Sequence, residues 1–193
     1  METTVLRSLF PKFKSTNFNK INLNDLVKEH FNKGSHLMKD PSKKQDMINC
    51  YHKAHNCISY GGWMENRSFM WSGTYMDKDR KYIHLGVDIA VNKGNLVTLP
   101  FDAKVIDLLF DEDTSVGWGT RVIVKPKGNF TSYILFAHLA DEINFKLGSE
   151  LKKGSTIGKI GSWPKNGNVF EHLHLQAIER IFFETMQLSN LDG

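Results

Sequence analysis

Cysteine is scarce in this sequence, and the two cysteines are poorly spaced for a disulfide. The chain of 193 residues contains only Cys50 and Cys57. They lie in a segment whose pattern favours a helix, in which seven residues span about 10 Å. A disulfide needs Cα atoms within roughly 7 Å of each other, so an intact helix excludes this bond. We therefore predict that both cysteines act as small buried side chains.

Long apolar runs are also missing. No stretch approaches the roughly 18 consecutive apolar residues of a membrane-spanning helix, so no transmembrane segment is predicted. Residues 1–12 lack the continuous apolar core and the small-residue cleavage site of a signal peptide. We therefore expect a protein that is cytoplasmic or exported by a non-classical route.

Charge is distributed unevenly along the chain. With a formal net charge of +4, 40% hydrophobic residues and 24% charged residues, the composition is ordinary for a soluble globular protein. Residues 1–60 carry ten Lys and Arg against five Asp and Glu, whereas residues 61–193 are nearly balanced. The excess indicates either a solvated helical surface or attraction to an anionic surface, such as cell-wall polymer or membrane headgroups. A nucleic-acid partner is not expected, because no basic cluster with interleaved aromatic residues occurs.

The residue pattern changes along the chain, from helical periodicity near the N-terminus to short β-forming segments after it. Residues 1–20 predict an irregular arm, and apolar periodicity predicts helices over residues 24–33 and 43–55. Short segments rich in β-forming residues, separated by turn signals, make up the rest. The predicted strands cover residues 68–72, 82–91, 103–110, 121–125, 131–138, 156–161 and 172–178. We predict a mainly β fold, an antiparallel β-sandwich or open barrel over residues 61–193, with an N-terminal helical extension over residues 1–60.

Two separated pairs of residues supply three ligands of a metal site and one further imidazole beside it. His84 and Asp88 are four residues apart, and His172 and His174 are two apart in an alternating segment that favours a strand. Residues i and i+2 of a strand lie on one face, roughly 7 Å apart, so both imidazoles face the same cleft. Glu171 faces the opposite way and is not predicted as a general base. Three nitrogen or oxygen ligands, with a fourth position left for water, are typical of a catalytic zinc site.

The first pair can share one ion only if the chain bends. Four residues of straight strand span roughly 13 Å, which is too far for His84 and Asp88 to converge easily. Gly86 lies between them and permits a bend through unusual backbone angles. A further histidine, His138, ends an apolar segment over residues 133–137 that predicts a buried strand. It is interpreted either as a core histidine at a strand end or as part of the metal cleft.

This order of motifs resembles peptidase family M23, the zinc endopeptidases of the LytM and lysostaphin type. The resemblance covers residues 80–180 and rests on three motifs: His84-x3-Asp88, Phe136-Ala137-His138-Leu139 and His172-Leu173-His174. It implies a β-sandwich or open barrel of this peptidase type and one zinc ion per chain, with His84, Asp88 and His174 as the ligands. It also implies that His138 and His172 are catalytic histidines beside the water at the fourth position.

Several residues are predicted to lie near the cleft and to contact the substrate or shape its groove. Trp118 and Trp163 lie in loops that this fold places near the cleft, and both are predicted to contact the substrate. Trp63 and Trp71 are predicted to pack in the core. Residues 161–171 depart from the Ser/Thr- and Gly-rich loop that usually precedes the histidine pair in this family. Because that loop would line the substrate groove, this departure weakens the expectation of a typical peptidoglycan specificity.

Several functions are compatible with these motifs. The leading interpretation is a zinc-dependent endopeptidase that acts on stem or cross-bridge peptides of peptidoglycan. The alternatives are a cytosolic hydrolase of this type with a non-cell-wall substrate, and a metal-binding recognition module without peptidase activity. A sugar-phosphotransfer carrier would also use two histidines, but it has no need for Asp88. No His-Glu-x-x-His helix occurs, so the glutamate-base mechanism of that protease class is not expected.

Overall fold

The N-terminal third of the chain is helical, and its helices pack on the β-structure that follows. The computed structural model describes residues 3–78 and 80–185. Its helices are α1 (Thr3–Leu9), α2 (Leu23–His30), α3 (Pro41–His55), α4 (Ser68–Trp71), α5 (Tyr75–Lys78) and α6 (Arg180–Thr185), with 3-10 turns at Pro11–Phe13 and His36–Lys39. The two predicted N-terminal helices are therefore confirmed as α2 and α3. No helix within the described ranges is long and apolar enough to cross a membrane.

Most of the strands pair in one large sheet. The strands are β1 (Asn17–Ile21), β2 (Cys57–Gly61), β3 (Glu65–Asn66), β4 (Ile83–His84), β5 (Val87–Ile89), β6 (Leu96–Thr98), β7 (Ala103–Phe110), β8 (Thr120–Pro126), β9 (Ser132–Leu139), β10 (Glu150–Leu151), β11 (Thr156–Lys159) and β12 (Leu173–Glu179). In the described part of the chain, eight of them form a sheet in the order β1-β2-β5-β12-β9-β8-β7-β10. The pairs β11-β6 and β3-β4 form two small sheets. The predicted mainly β fold with N-terminal helices is confirmed.

The large sheet is mixed because β1 and β2 are parallel, whereas the other neighbouring strands are antiparallel. A parallel pair needs a long crossover, and α2 and α3 supply it. The side chains of Asn22 and Asp40 accept hydrogen bonds from the first turns of these two helices and fix where each begins. The predicted irregular arm over residues 1–20 was wrong, since residues 3–20 include α1 and most of β1. The boundary predicted after residue 60 falls inside β2, and the division into two domains stays a prediction.

Some local predictions were also wrong. The strand predicted over residues 68–72 is instead the helix α4 (Ser68–Trp71). The Asn66 side chain accepts a hydrogen bond from the backbone N–H of Ser68, the first residue of this helix, at 2.9 Å. An apolar run this short does not distinguish a strand from a helix. Trp63 is 70% exposed and does not pack in the core. Cys57 is buried, but Cys50 is exposed, and both thiols are free.

Two apolar clusters hold the helices α1 to α4 on the sheet. The larger one joins α1 to the large sheet and to β6 and β11, through Leu6, Leu9, Phe10, Val97, Leu99, Val122, Phe136, Leu139 and Ile157. The second joins α2, α3 and α4 to the strands, through Leu23, Val27, Met47, Ile48, Met70, Ala90 and Phe170. Burial of such side chains stabilises the fold by about 1.5–3 kcal/mol each. Phe170 lies two residues before His172, so this packing fixes the N-terminal helices against the segment that leads into β12.

Candidate active site

Strand pairing brings the separated motifs together. In β12, His174 lies opposite Asp88 of β5 on one side and Ala137 of β9 on the other. Cross-strand neighbours have Cβ atoms about 4.5–5.5 Å apart. His138 directly follows Ala137, and His172 directly precedes β12. The register of β5 and β12 therefore places Asp88, His172 and His174 on one face of the sheet. In a regular strand His138 would face the other way, so it needs a local irregularity to join them.

Gly86 lies between His84 and Asp88, beside the His174 ring. The chain bends between β4 and β5, as predicted, and Gly86 lies at the bend. A Cβ atom at Gly86 would overlap the His174 ring and would lie 3.0 Å from the Leu175 carbonyl oxygen. Gly86 does not adopt a positive φ. Its role is therefore to leave space for the His174 ring, and not to supply the unusual backbone angles that we expected.

His138 lies at an irregularity of β9. The register between β8 and β9 shifts between Thr120 and Val122, which indicates a β-bulge, and His138 has a φ of 62°. A non-glycine residue in this region costs about 1–3 kcal/mol, and such residues cluster at functional sites. The His138 N–H donates to the Trp118 carbonyl, and the Gly161 N–H donates to the His138 carbonyl, both at 2.9 Å. These two hydrogen bonds hold His138 in its conformation.

Three side chains form a candidate metal-binding set. The three residues are His84, Asp88 and His174, and all of them are buried. Each offers one ligand atom, and these three atoms lie within 4.8 Å of one another. His84 Nε2 lies 3.0 Å from His174 Nδ1, and Asp88 Oδ1 lies 3.3 and 3.2 Å from these two nitrogens. Ligand atoms about 2.0–2.1 Å from a tetrahedral zinc ion are roughly 3.3 Å apart. The observed spacings therefore fit a zinc ion.

The four histidines share one feature: each has one ring nitrogen hydrogen-bonded to an oxygen acceptor. These acceptors are the Gly62 carbonyl for His84 Nδ1 (3.0 Å), the Asn166 carbonyl for His138 Nδ1 (2.8 Å), the Phe170 carbonyl for His172 Nδ1 (2.8 Å) and Oε1 of Gln176 for His174 Nε2 (3.0 Å). Because these oxygens only accept, each bonded nitrogen carries the proton and the other nitrogen of the neutral ring offers a lone pair. Metal-binding histidines are oriented in the same way.

Asp88 lies at the centre of the site. Its Oδ1 atom lies 3.3 Å from His172 Nε2, and its Oδ2 atom lies 2.8 Å from Nη1 of the buried Arg67. Burial alone would raise the pKa of Asp88, but interactions with His84, Arg67 and His172 outweigh burial and hold this pKa well below its usual range. The carboxylate is therefore ionised, as a metal ligand must be.

Burial keeps two of the imidazoles neutral. It lowers the pKa of His84 to about 4, with Arg67 acting in the same direction and Asp88 opposing it. Burial, together with His172 and His174, also lowers the pKa of His138 well below its usual value. Neutral imidazole is the form that binds a metal ion or accepts a proton.

Two residues of the site were not identified from the sequence. Gln176 holds His174 and lies on the strand face that carries the histidine pair, so strand alternation would have found it. Arg67 contacts both Asp88 and Glu65 through its guanidinium group. No local pattern indicates Arg67, because its position depends on the pairing of β3 with β4.

Of the two tryptophans predicted to contact the substrate, Trp118 lines the cavity over the site and Trp163 does not. A cavity of about 330 Å³ opens over the site, and Trp118 lines it. The Trp118 ring centroid lies 6.3 Å from that of His138 and 5.3 Å from that of His174. Trp163 is not among the described residues that line the cavity, and the Nζ atom of Lys93 lies 5.9 Å from the centre of its ring. Glu171, which was not expected to be a base, also lies outside this lining.

Several solved structures resemble part of this chain. A mutant catalytic domain of the prophage-encoded M23 protein EnpA from Enterococcus faecalis is 22% identical over 51% of this chain and 69% of that chain, with a TM-score of 0.41. A zinc-containing peptidase from Vibrio cholerae is 27% identical over 51% of this chain and only 28% of that chain, with a TM-score of 0.41. The catalytic domain of the antimicrobial peptidase lysostaphin from Staphylococcus simulans is 23% identical over 54% of this chain and 81% of that chain, with a TM-score of 0.42.

Curated proteins gave no match to this chain. A family match is found in the part of the chain that contains the site. Residues 82–182, slightly more than half of the chain, match peptidase family M23. This range includes all five predicted ligands and catalytic histidines, from His84 to His174. The chain belongs to peptidase family M23.

Proposed function

We propose that this protein is a zinc-dependent endopeptidase whose substrates are stem or cross-bridge peptides of peptidoglycan. Membership of the family supports the peptidase activity. One observation supports the proposed chemistry: four buried histidines each bind an oxygen acceptor through one nitrogen and leave the other nitrogen available around Asp88. The positive charge of residues 1–60 is consistent with an anionic cell-wall polymer as the target.

The proposed ligands are His84, Asp88 and His174. Two imidazole nitrogens and one carboxylate oxygen suit zinc and leave a fourth position open. When bound, zinc polarises the scissile carbonyl and lowers the pKa of a coordinated water to about 7. The hydrogen bonds from His84 to Gly62 and from His174 to Gln176 fix which ring nitrogen each histidine offers.

Proton transfer is assigned to His138 and His172. Their ring centroids are 4.5 Å apart, and each ring has its Nδ1 atom bound to a backbone carbonyl, which leaves Nε2 for proton transfer. Nε2 of His172 also lies 3.3 Å from Asp88 Oδ1. One neutral imidazole accepts the proton of the attacking water. The other, when protonated, stabilises the oxyanion or donates a proton to the leaving amine.

Trp118 is proposed to contact the substrate, because it lines the cavity beside His138. An aromatic face at this position would pack against the peptide on one side of the cleaved bond. Trp163 would reach only a substrate that extends beyond the cavity, and its role stays a prediction.

Digestion of purified peptidoglycan sacculi by the zinc-loaded protein tests this proposal. New amino termini, identified by mass spectrometry, are expected with the wild type and not with His172→Ala loaded with the same amount of zinc. His55→Ala is a matched control, since His55 is exposed and lies outside the site. If the zinc-loaded wild type releases no new amino termini, the peptidoglycan substrate is wrong.

A further inference from the structure

One wall of the active-site cavity comes from residues that precede the family match. Lys39 and Lys44 line the cavity together with Arg67, and all three lie before residues 82–182. Lys44 belongs to α3, and Lys39 belongs to the 3-10 turn before it. The N-terminal region therefore contributes positive charge to the cavity in which the substrate would bind.

Few negative charges lie close enough to offset the positive charge of this wall. Among the described lining residues, Asp88 is the only acidic one, and it already contacts Arg67 and the histidines. Lys39 Nζ donates a hydrogen bond to the Gly73 carbonyl at 2.8 Å, which fixes the position of the ammonium group without neutralising it. A zinc ion at the proposed site would make the cavity more positive still.

Lys44 forms no ion pair with any carboxylate in the described part of the chain. The carboxylate of Asp40 is one turn away, but it accepts hydrogen bonds from the Ser42 N–H and hydroxyl, both at 2.8 Å, and so caps α3. Burial, with Arg67 acting in the same direction and Asp40 opposing it, lowers the pKa of Lys44 to about 8. A partly buried ammonium group without a counter-ion is stabilised when an anion binds beside it.

We infer that Lys44, with Lys39 lining the same cavity, is the subsite for a carboxylate group of the substrate. Arg67 is not the primary contact, because Glu65 and Asp88 already occupy its guanidinium group. The inference rests on the proposed peptidase function and narrows its substrate class. Stem peptides carry free carboxylates, whereas the interior of a glycine cross-bridge does not, so this subsite favours stem peptides.

Binding of two matched peptides to the full-length, zinc-loaded protein tests the inference. The probes are the stem pentapeptide L-Ala-γ-D-Glu-L-Lys-D-Ala-D-Ala and the same peptide with each carboxylate converted to an amide. Binding is measured by calorimetry in the His172→Ala background, which blocks turnover. We expect the acid form to bind about tenfold more tightly than the amide form, since a hydrogen bond between two charged groups is stronger than one to a neutral amide.

Substitutions in this background identify the residue responsible. Lys44→Met should reduce the affinity for the acid form to that for the amide form and leave the amide form unaffected, whereas Lys44→Arg should keep the preference. Lys43→Met is the matched control, because Lys43 is an exposed neighbour on α3 that does not line the cavity. It should change neither affinity.

The possible results separate this inference from the proposed function. Equal affinity for the two peptides before any Lys44 substitution, no binding of either, or a preference that survives Lys44→Met would overturn the carboxylate subsite. Cleavage of both peptides at equal efficiency by the wild type would overturn it too and leave the peptidase function intact. A Lys44-dependent preference, together with no release of new amino termini from sacculi by the wild type, would support the subsite and contradict the proposed function.

Discussion

Arg67 Nη1 lies 2.8 Å from Asp88 Oδ2, and both side chains are buried. A second guanidinium nitrogen of Arg67 lies 3.4 Å from Glu65 Oε2. One buried cation thus holds two buried carboxylates, and one of these carboxylates is a proposed metal ligand. Arg67 lies before the residues that match the family, so the segment between the N-terminal helices and the matched region helps to support the site.

Removal of Arg67 should destabilise the fold strongly. Arg67→Met removes the cation that pairs with the buried carboxylates of Glu65 and Asp88, and breaking such a buried pair costs about 3–5 kcal/mol. Urea unfolding of the metal-free protein at pH 7 measures this loss of free energy. Arg180→Met is the control, because the pair of Arg180 with Glu184 is exposed to solvent and its loss should change the unfolding free energy little. Equal small losses in the two variants would show that the buried pair does not stabilise the protein.

Gln176 should contribute to metal affinity without touching the metal. Gln176→Leu removes the acceptor for His174 Nε2, so the ring loses the bond that fixes its orientation. Loss of such a partner typically weakens metal binding by about 10–100-fold. Competition with a chromophoric zinc chelator measures the change, and Gln176→Glu, which keeps an acceptor, should retain more of the affinity. Wild-type affinity in the leucine variant would rule out this orienting role.

The stability of the metal-free protein should fall as the pH decreases from 6.5 to 5. The pKa is about 4 for His84 and well below the usual value for His138, whereas the unfolded residues titrate near 6.5. In this window the unfolded state binds protons that the folded state does not, so each histidine lowers the unfolding free energy by up to about 1.4 kcal/mol per pH unit. Above this window both states are neutral. Asp88 does not contribute here, because it is ionised in both states above pH 5.

Urea titrations at pH 7.5, 6.0 and 5.0 test the pH dependence. His138→Gln removes one of the two imidazoles and cannot be protonated, so its unfolding free energy should change less with pH than that of the wild type. A variant that keeps the full wild-type slope would contradict a low pKa for His138.

Much of the site follows from the sequence because strand pairing restricts where side chains lie. The spacing of His172 and His174 places both on one strand face, and the structure brings them together with His84, Asp88 and His138. The positions agree with the motif-based prediction. Their roles as ligands or catalytic groups stay predictions.

The remaining features depend on contacts that no local pattern encodes. Arg67 reaches Asp88 because β3 pairs with β4, and Lys44 reaches the cavity because α3 packs on the sheet through the second apolar cluster. The parallel pairing of β1 with β2 joins segments separated by two helices. Residues 68–72 were mistaken for a strand because their length and apolar content suit both structures.

The most direct test measures bound zinc and the hydrolysis of sacculi in the same purified alanine variants. Alanine at His84, Asp88 or His174 should abolish both zinc binding and hydrolysis. Alanine at His138 or His172 should leave about one zinc ion per chain and reduce turnover by about 10²–10⁴-fold. Full turnover in the His138 or His172 variants, or undiminished zinc binding after loss of a proposed ligand, would contradict the account.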